Sequence, residues 1–185
     1  HVDKKEDPSL GGCIHTAIRL VTNLDEDFFL KWGPDTEGDG FAAEADGICA
    51  LRAARALTVP ELIGYSAPGH DPAWILMEYI PHGKLAVDYA ARLGEGLATL
   101  HRNRFESYGW ERDNFIGSLP QSNGVIDDWH EFWWQRRLEP QIASAHNHGL
   151  LSGRGAEWRL LEASLKNLLA LVYFIRGTAY VILLL

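Results

Sequence analysis

The run Phe28-Phe29-Leu30-Lys31-Trp32 sets one charged side chain among four large apolar ones. On an extended chain Phe29 and Lys31 share a face, while Phe28, Leu30 and Trp32 take the other. The ammonium is therefore carried wherever Phe29 packs. A lone charge in apolar surroundings is expensive unless an opposite charge meets it. Glu44 is the carboxylate with the right pattern: it falls on a stripe with Phe41, Ile48, Leu51 and Arg55, at the three- and four-residue spacings of one helix face. The spacing predicts a strand lysine paired with a glutamate on the apolar side of the following helix.

Other arrangements that could do chemistry are weaker. Gly38-Asp39-Gly40-Phe41-Ala42-Ala43 matches G-x-G-x-x-A, but an acidic loop precedes it where a dinucleotide site needs a strand. His146-Asn147-His148 has no nearby carboxylate to complete a metal site and reads as a solvated helix end. His101 reads as a packed helix-terminal histidine. Neither G-x-S-x-G nor H-E-x-x-H occurs. Cys13 and Cys49 lack C-x-x-C spacing, so neither a disulfide framework nor a zinc site is expected. No metal ligands are assigned.

These residues need a scaffold, and 185 residues with 46% hydrophobic and 11% aromatic content can bury one. The 17 basic and 25 acidic residues leave a net charge of -8 with no basic patch, which disfavours nucleic acid and anionic membranes as partners. Cysteine usage fits a reducing, cytoplasmic setting. The chain starts at His1, and His1 to Leu10 has no apolar signal-peptide core, so the N-terminus reads as a cut edge. Leu168 to Leu185 is apolar except for Arg176, Gly177 and Thr178. An arginine at mid-bilayer costs about 2.5–3.5 kcal/mol, so two short buried elements joined by a turn at Arg176-Gly177-Thr178 are expected there, not a span.

Cys13 to Trp32 reads as a hairpin around an acidic turn. A glycine-rich loop and the Phe41–Arg55 helix follow, then a strand pair, Glu61–Pro68 and Ala73–Ile80. Beyond Pro81 the pattern is helical. Val87, Ala90, Leu93, Leu97 and Leu100 share one face; Trp129, Phe132, Trp133 and Arg136 mark a second helix, which Pro140 ends or kinks. Trp158, Leu161, Leu165 and Leu168 mark a third. The expected fold class is α+β and two-lobed. Residues 1–80 form an antiparallel-sheet N-lobe with one helix, and residues 81–185 a mainly helical C-lobe. No internal repeat is present.

The order of these parts resembles the N-lobe of a protein-kinase-like fold: a glycine pair before a strand, a strand lysine, a helix glutamate, and a strand running into a break. The resemblance implies that Gly11, Gly12 and Cys13 lie in a loop over ATP phosphates, that Lys31 contacts the phosphates, and that Glu44 holds Lys31. Met77-Glu78-Tyr79-Ile80 would be the hinge, with backbone groups of Glu78 and Ile80 on adenine and Met77 behind it. Cys13 would be a thiol whose cationic neighbour favours thiolate; a small strand residue with no redox role is the alternative. The strings Tyr108–Asn123 and Asp127–Ala145, with Leu97–Arg102 and the glycine pair, more specifically resemble the fructosamine kinase (ketosamine 3-kinase) family, relatives of aminoglycoside phosphotransferases, from about Leu10 to about Leu165. That family uses ATP and magnesium to phosphorylate the 3-hydroxyl of sugars attached to amines by glycation, small or protein-bound. The unstable 3-phosphate then sheds the sugar, which is deglycation. By resemblance Asp113, Asn114, Gln121 and Trp129 lie in the substrate lobe; a loop and helix cap ordered by Asp and Asn is the alternative. Two other readings stand beside this one: a kinase of another hydroxylated small molecule, such as an aminoglycoside or choline, and a catalytically dead nucleotide-binding scaffold.

The family's catalytic aspartate belongs to a His-Gly-Asp string, which this sequence lacks. Pro81-His82-Gly83-Lys84 and His148-Gly149-Leu150 have no aspartate there, and no Asp or Glu follows Glu162. The expectation is an incomplete C-lobe that stops before its catalytic loop. Phosphoryl transfer needs a base-like aspartate and carboxylates for magnesium as well as a phosphate-holding lysine. The purified 185-residue chain should therefore show no ATP-dependent phosphorylation of fructosyl-lysine in a radiolabel-transfer assay, and measurable turnover would mean that the catalytic carboxylates have been misplaced.

Overall fold

A computed structural model describes residues 2–5, 15–24, 26–34, 40–103, 105–117, 119–151 and 155–172. The chain divides into two compact units, His1–Leu100 with Asn114–Pro120, and His101–Asp113 with Gln121–Leu185.

The first unit is built on a five-stranded antiparallel sheet of β1 (Val2–Lys5), β2 (Thr16–Thr22), β3 (Asp27–Gly33), β4 (Leu62–Tyr65) and β5 (Ala73–Glu78), in the order β1-β2-β3-β5-β4. β3 is central. Lys31 stands opposite Ala17 on β2 and Ile75 on β5, and Phe29 opposite Arg19 and Met77, so all six share one face. β5 alternates with period two: Ala73, Ile75 and Met77 are buried, and Glu78 reaches solvent. Helix α1 (Gly40–Ala53) covers the face that Ile75 and Met77 present. Phe41, Ala45, Ala73, Ile75 and Met77 form the core there, with Phe29, Ile48 and Leu62 packed against it. Phe41, Ala45 and Ile48 are one stripe of α1.

Several expected boundaries shift. Arg55 is not on the α1 stripe: the helix ends at Ala53, and Arg55 adopts the left-handed conformation (φ 51°) that terminates helices. Val87 precedes helix α2 (Tyr89–Leu100) and is exposed, whereas Leu93 and Leu97 are half-buried and Leu100 is buried. α2 groups with the first unit. A Cβ on Gly96 would sit 2.2 Å from the Leu57 side chain, so glycine lets α2 close on the segment after α1. β1 is an addition to the expected elements. Its Val-Asp-Lys-Lys sequence lies at a sheet edge, where lysines are common and hydrophobic alternation is absent. β6 (Asn114–Ile116) and β7 (Leu119–Gln121) form a separate two-stranded sheet, turning near Gly117 (φ 62°), and β6 packs on α1.

In the second unit, α3 (Trp129–Trp133) runs through a π-helical turn (Trp134–Leu138) into α4 (Glu139–Asn147). Asp128 caps α3 by accepting from the Glu131 amide at 2.9 Å. Pro140 falls in the first turn of α4. It has no N–H to offer the Arg136 carbonyl, and its ring crowds that oxygen. The ladder widens, and the Arg136 carbonyl accepts instead from Arg137 Nη1 at 2.9 Å. So Pro140 does interrupt the helix, through a π turn and not a break. Helix α5 (Gly155–Val172) carries Trp158, Leu161, Leu165 and Leu168. The turn expected at Arg176–Thr178 lies outside the described residues. Among the described residues no helix is long and apolar enough to cross a membrane.

Ile75 is fully buried at the middle of the sheet. Ile75→Ala should destabilise the first unit by about 2–5 kcal/mol, whereas Ile63→Ala, at a half-exposed site, should stay within about 0.5 kcal/mol. Urea midpoints measure both.

Candidate functional site

Lys31 Nζ and Glu44 Oε2 are 2.6 Å apart, with side chains 25% and 34% exposed. β3 delivers the lysine to the covered face, and α1 delivers the glutamate one turn after Phe41. The ammonium also lies 5.6 Å from the centre of the Phe41 ring, within cation–π range. His15, just ahead of β2, makes a tilted ring contact with Phe41 at a centroid distance of 4.7 Å. A Cβ at Gly33 would fall 2.6 Å from the His15 ring, so a glycine at the end of β3 makes room for it. His15 was not singled out from the sequence; its only signal was its place after the glycine pair. Gly11, Gly12 and Cys13 belong to the connection between β1 and β2 and lie outside the described residues.

At the end of β5, Met77 is buried on the same face as Lys31. The Glu78 amide donates to the Glu61 carbonyl at 2.8 Å, and the Glu78 carboxylate accepts from the Glu61 amide at 3.0 Å. The Tyr79 amide donates to the Asp27 carbonyl at 3.2 Å. Phe28 and Glu78 are therefore a non-hydrogen-bonded pair, and the main-chain groups of Glu78 face away from β3. Ile80 is exposed. Arg19 forms an ion pair with Asp27 and lies 4.6 Å over the Tyr79 ring. Its hydrogen bond to Asp27 holds the guanidinium above its ordinary pKa, against a smaller effect of desolvation.

The remaining expected residues fall in both units. Asp113, Gln121 and Trp129 belong to the second unit and Asn114 to the first. Asp113 Oδ1 accepts from the Asn123 amide at 2.7 Å. Asn114 opens β6 and Gln121 closes β7. Trp129 packs among Tyr108, Phe132 and Trp133, with ring centroids 5.2–6.2 Å away. Two residues not singled out from the sequence carry this region. Asn123 is 2% exposed. Its Nδ2 donates to the Arg112 carbonyl at 3.1 Å, its Oδ1 accepts from Arg137 Nη2, and its carbonyl accepts from the Trp110 amide at 2.6 Å. Arg137 also donates to the Ser122 carbonyl at 2.8 Å and lies 4.8 Å over the Phe132 ring. Desolvation, with the charge of Arg136 adding to it and Asp113 opposing, pushes the Arg137 pKa down to about 10. His148 Nδ1 meets the Ser144 carbonyl at 2.7 Å at the end of α4. Among the described residues no three His, Cys, Asp or Glu side chains gather as a metal site.

A β1-β2-β3-β5-β4 antiparallel sheet, with a lysine on β3 tied to a glutamate on the following helix and a mainly helical second unit, defines a protein-kinase-like fold. The fructosamine kinase family model matches residues 2–170, and the chain belongs to that family. It is 34% identical over 137 residues to a probable ketoamine kinase of Synechocystis, covering 73% of this chain and 45% of that one. It is 33% identical over 139 residues to a chloroplastic protein-ribulosamine 3-kinase of Arabidopsis thaliana, covering 74% and 42%. The crystal structure of a fructosamine-3-kinase candidate from Thermobifida fusca superposes with a TM-score of 0.75 at 26% identity, covering 93% of this chain and 57% of that one. The chain spans about half the length of the curated relatives it matches.

Arg137→Met should leave Asn123 Oδ1 and the Ser122 carbonyl without their charged donor and lower the stability of the second unit by about 2–3 kcal/mol. Differential scanning calorimetry of the variant reads this directly, and an unchanged transition would mean that the guanidinium is dispensable.

Proposed function

We propose that this chain supplies the nucleotide-binding lobe and part of the substrate lobe of an ATP-dependent ketosamine 3-kinase, with the lobe boundary near Pro81. The observation that carries the reading is the 2.6 Å Lys31–Glu44 pair on the covered face of the sheet, in a chain of the fructosamine kinase family. Its similarity to a probable ketoamine kinase and to a protein-ribulosamine 3-kinase supports it.

An ammonium has three donors, and among the described residues Glu44 takes one from Lys31. Glu44 and Phe41 hold the group in place, so its other donors reach for phosphate oxygens without a large loss of side-chain freedom. A partly desolvated, oriented cation fits a nucleoside triphosphate. The β1–β2 connection, with Gly11, Gly12 and Cys13, would lie over the phosphates. Adenine would meet the Glu78 carbonyl and the Ile80 amide, with Met77 closing the inner wall. Magnesium, when bound with ATP, neutralises phosphate charge; no described residue is assigned to it. Asp113, Asn114, Gln121 and Trp129 would lie on the substrate side, a reading that family likeness alone supports. The acceptors are glycated amines, small or protein-bound, and the net charge of -8 suits a basic acceptor and neither nucleic acid nor anionic membrane. A reducing cytoplasm is the proposed setting.

Calorimetric titration of the chain with ATP and magnesium tests the nucleotide half. Lys31→Met should weaken binding about tenfold or more, about 1.4 kcal/mol, with the fold retained. Equal affinity in the variant would overturn the assignment. The acceptor half is tested in a longer chain carrying a His-Gly-Asp segment, which should phosphorylate fructosyl-lysine in preference to an aminoglycoside or choline.

A further inference from the structure

The β6–β7 hairpin has its strand β6 in the first unit, packed on α1, while the chain that enters and leaves it, at Asp113 and Gln121, belongs to the second unit. α1 is the helix that presents Glu44 to Lys31. The two ends from which the hairpin springs are fastened to each other inside the second unit. Asp113 Oδ1 accepts from the Asn123 amide at 2.7 Å, the Asn123 side chain donates to the Arg112 carbonyl at 3.1 Å, and the Trp110 amide donates to the Asn123 carbonyl at 2.6 Å. Arg137 locks the returning end by binding the Ser122 carbonyl and the Asn123 side chain. Gly109 makes this closeness possible: at φ 128° it adopts a conformation that other residues rarely take, and a Cβ there would lie 2.5 Å from the Asn123 carbonyl.

We propose that the Asn114–Gln121 hairpin is a positioning element for the phosphate-gripping lysine: β6 holds α1 at the setting that brings Glu44 to Lys31, and the Asp113–Asn123–Arg137 clamp sets the footing from which the hairpin projects. Asp113 is then a positioning residue that acts through a hydrogen bond of its carboxylate oxygen, not a group that touches the acceptor sugar. The rest of the hairpin is built for docking more than for catalysis. Phe115, at the middle of β6, is half-buried, whereas Ile116 and Leu119 beside the turn are exposed. α1 has no acidic residue in its first turn, and β6 is one of the surfaces it packs on.

The Lys31–Glu44 consequence rests on the nucleotide reading above, so the decisive measurement is made without nucleotide. Hydrogen exchange of the full chain is followed by mass spectrometry in the parent and in Phe115→Ala, Phe115→Leu, Asp113→Ala and Asp113→Asn. Protection of α1 amides should fall about tenfold or more in Phe115→Ala and by less in Phe115→Leu, while the β3 and β5 amides keep theirs. Asp113→Ala should loosen α1 in the same way, and Asp113→Asn, which retains an oxygen acceptor for the Asn123 amide, should restore most of the protection. Unchanged α1 protection in Phe115→Ala overturns the proposal. So does an equal loss over helix and sheet in both Phe115 variants, or an Asp113→Asn variant indistinguishable from Asp113→Ala. A second arm measures ATP affinity. Phe115→Ala should weaken binding in the parent and have no further effect in a Glu44→Gln background, and additive losses overturn the link to Glu44. If the parent binds no ATP, the nucleotide reading fails while the exchange arm still decides the role of the hairpin.

Discussion

A single ammonium on the middle strand of a sheet that otherwise buries hydrocarbon constrains the rest of the first unit. Lys31 shares its face with Phe29, Ile75 and Met77, so α1 cannot close over that face with apolar residues alone; it must bring an anion to one place. Phe41 and Ala45 seat the helix on Ile75 and Met77, and Glu44, between them in sequence, then reaches the lysine. The pair is a poor stabilising device. At 25% and 34% exposure it lies nearer the surface pairs, worth about 0.2–1 kcal/mol, than the buried ones. A methionine and a leucine in the same places would bury more hydrocarbon. The arrangement makes sense if the lysine must remain charged, oriented and reachable, which is a requirement of binding and not of folding.

How much of this was legible depended on whether the signal was periodic. Phe29 and Lys31 could be placed on one face because a strand has a period of two, and Glu44 on the inner side of α1 because Phe41, Glu44 and Ile48 follow the helical period. Both are local rules, and the 2.6 Å pair satisfies them. β1 was hidden because the sequence Val-Asp-Lys-Lys has no hydrophobic alternation to leave a pattern. Arg55 fits the stripe in sequence but stands beyond a left-handed helix end, a conformation that periodicity does not report. The π turn before Pro140 was half legible: the proline foretold a disturbance, but whether the ladder breaks or widens depended on a donor for the Arg136 carbonyl, and the neighbouring Arg137 supplied it.

The second unit was legible mainly by resemblance, and there the structure redistributes meaning among the polar residues. Asp113 drew notice as a member of a family-specific string, yet its carboxylate accepts a backbone amide from ten residues away. Asn123 and Arg137, fourteen residues apart, are joined in the same network. Such links have no periodic trace, because the distance between partners is set by the loop that they close. A tight loop that leaves backbone amides and carbonyls away from water must recruit side chains to satisfy them. A string rich in Asp, Asn and Arg is therefore as much a record of buried backbone as of ligand chemistry. The half-desolvated Arg137, its pKa pushed down to about 10, is tolerated because its donors find oxygens and its plane finds the Phe132 ring.

The same distinction bears on what the lysine site can contribute to a reaction. A cation that grips phosphate oxygens equally well before and during transfer lowers the free energy of bound nucleotide and transition state together, and uniform binding of that kind gives affinity without speed. Acceleration has to come from groups that gain strength as the phosphoryl group moves: a carboxylate orienting the attacking hydroxyl, and metal-held charge on the leaving side. Among the described residues no carboxylates gather in the way that metal binding needs, and Glu44 is already committed to Lys31. On the proposed reading the Lys31–Glu44 pair would account for recognition of a nucleotide, and the rate would come from carboxylates other than Glu44. On the same reading, β6, which leans on α1, would hold the helix that carries Glu44, so the cation would be well placed only when that hairpin is folded.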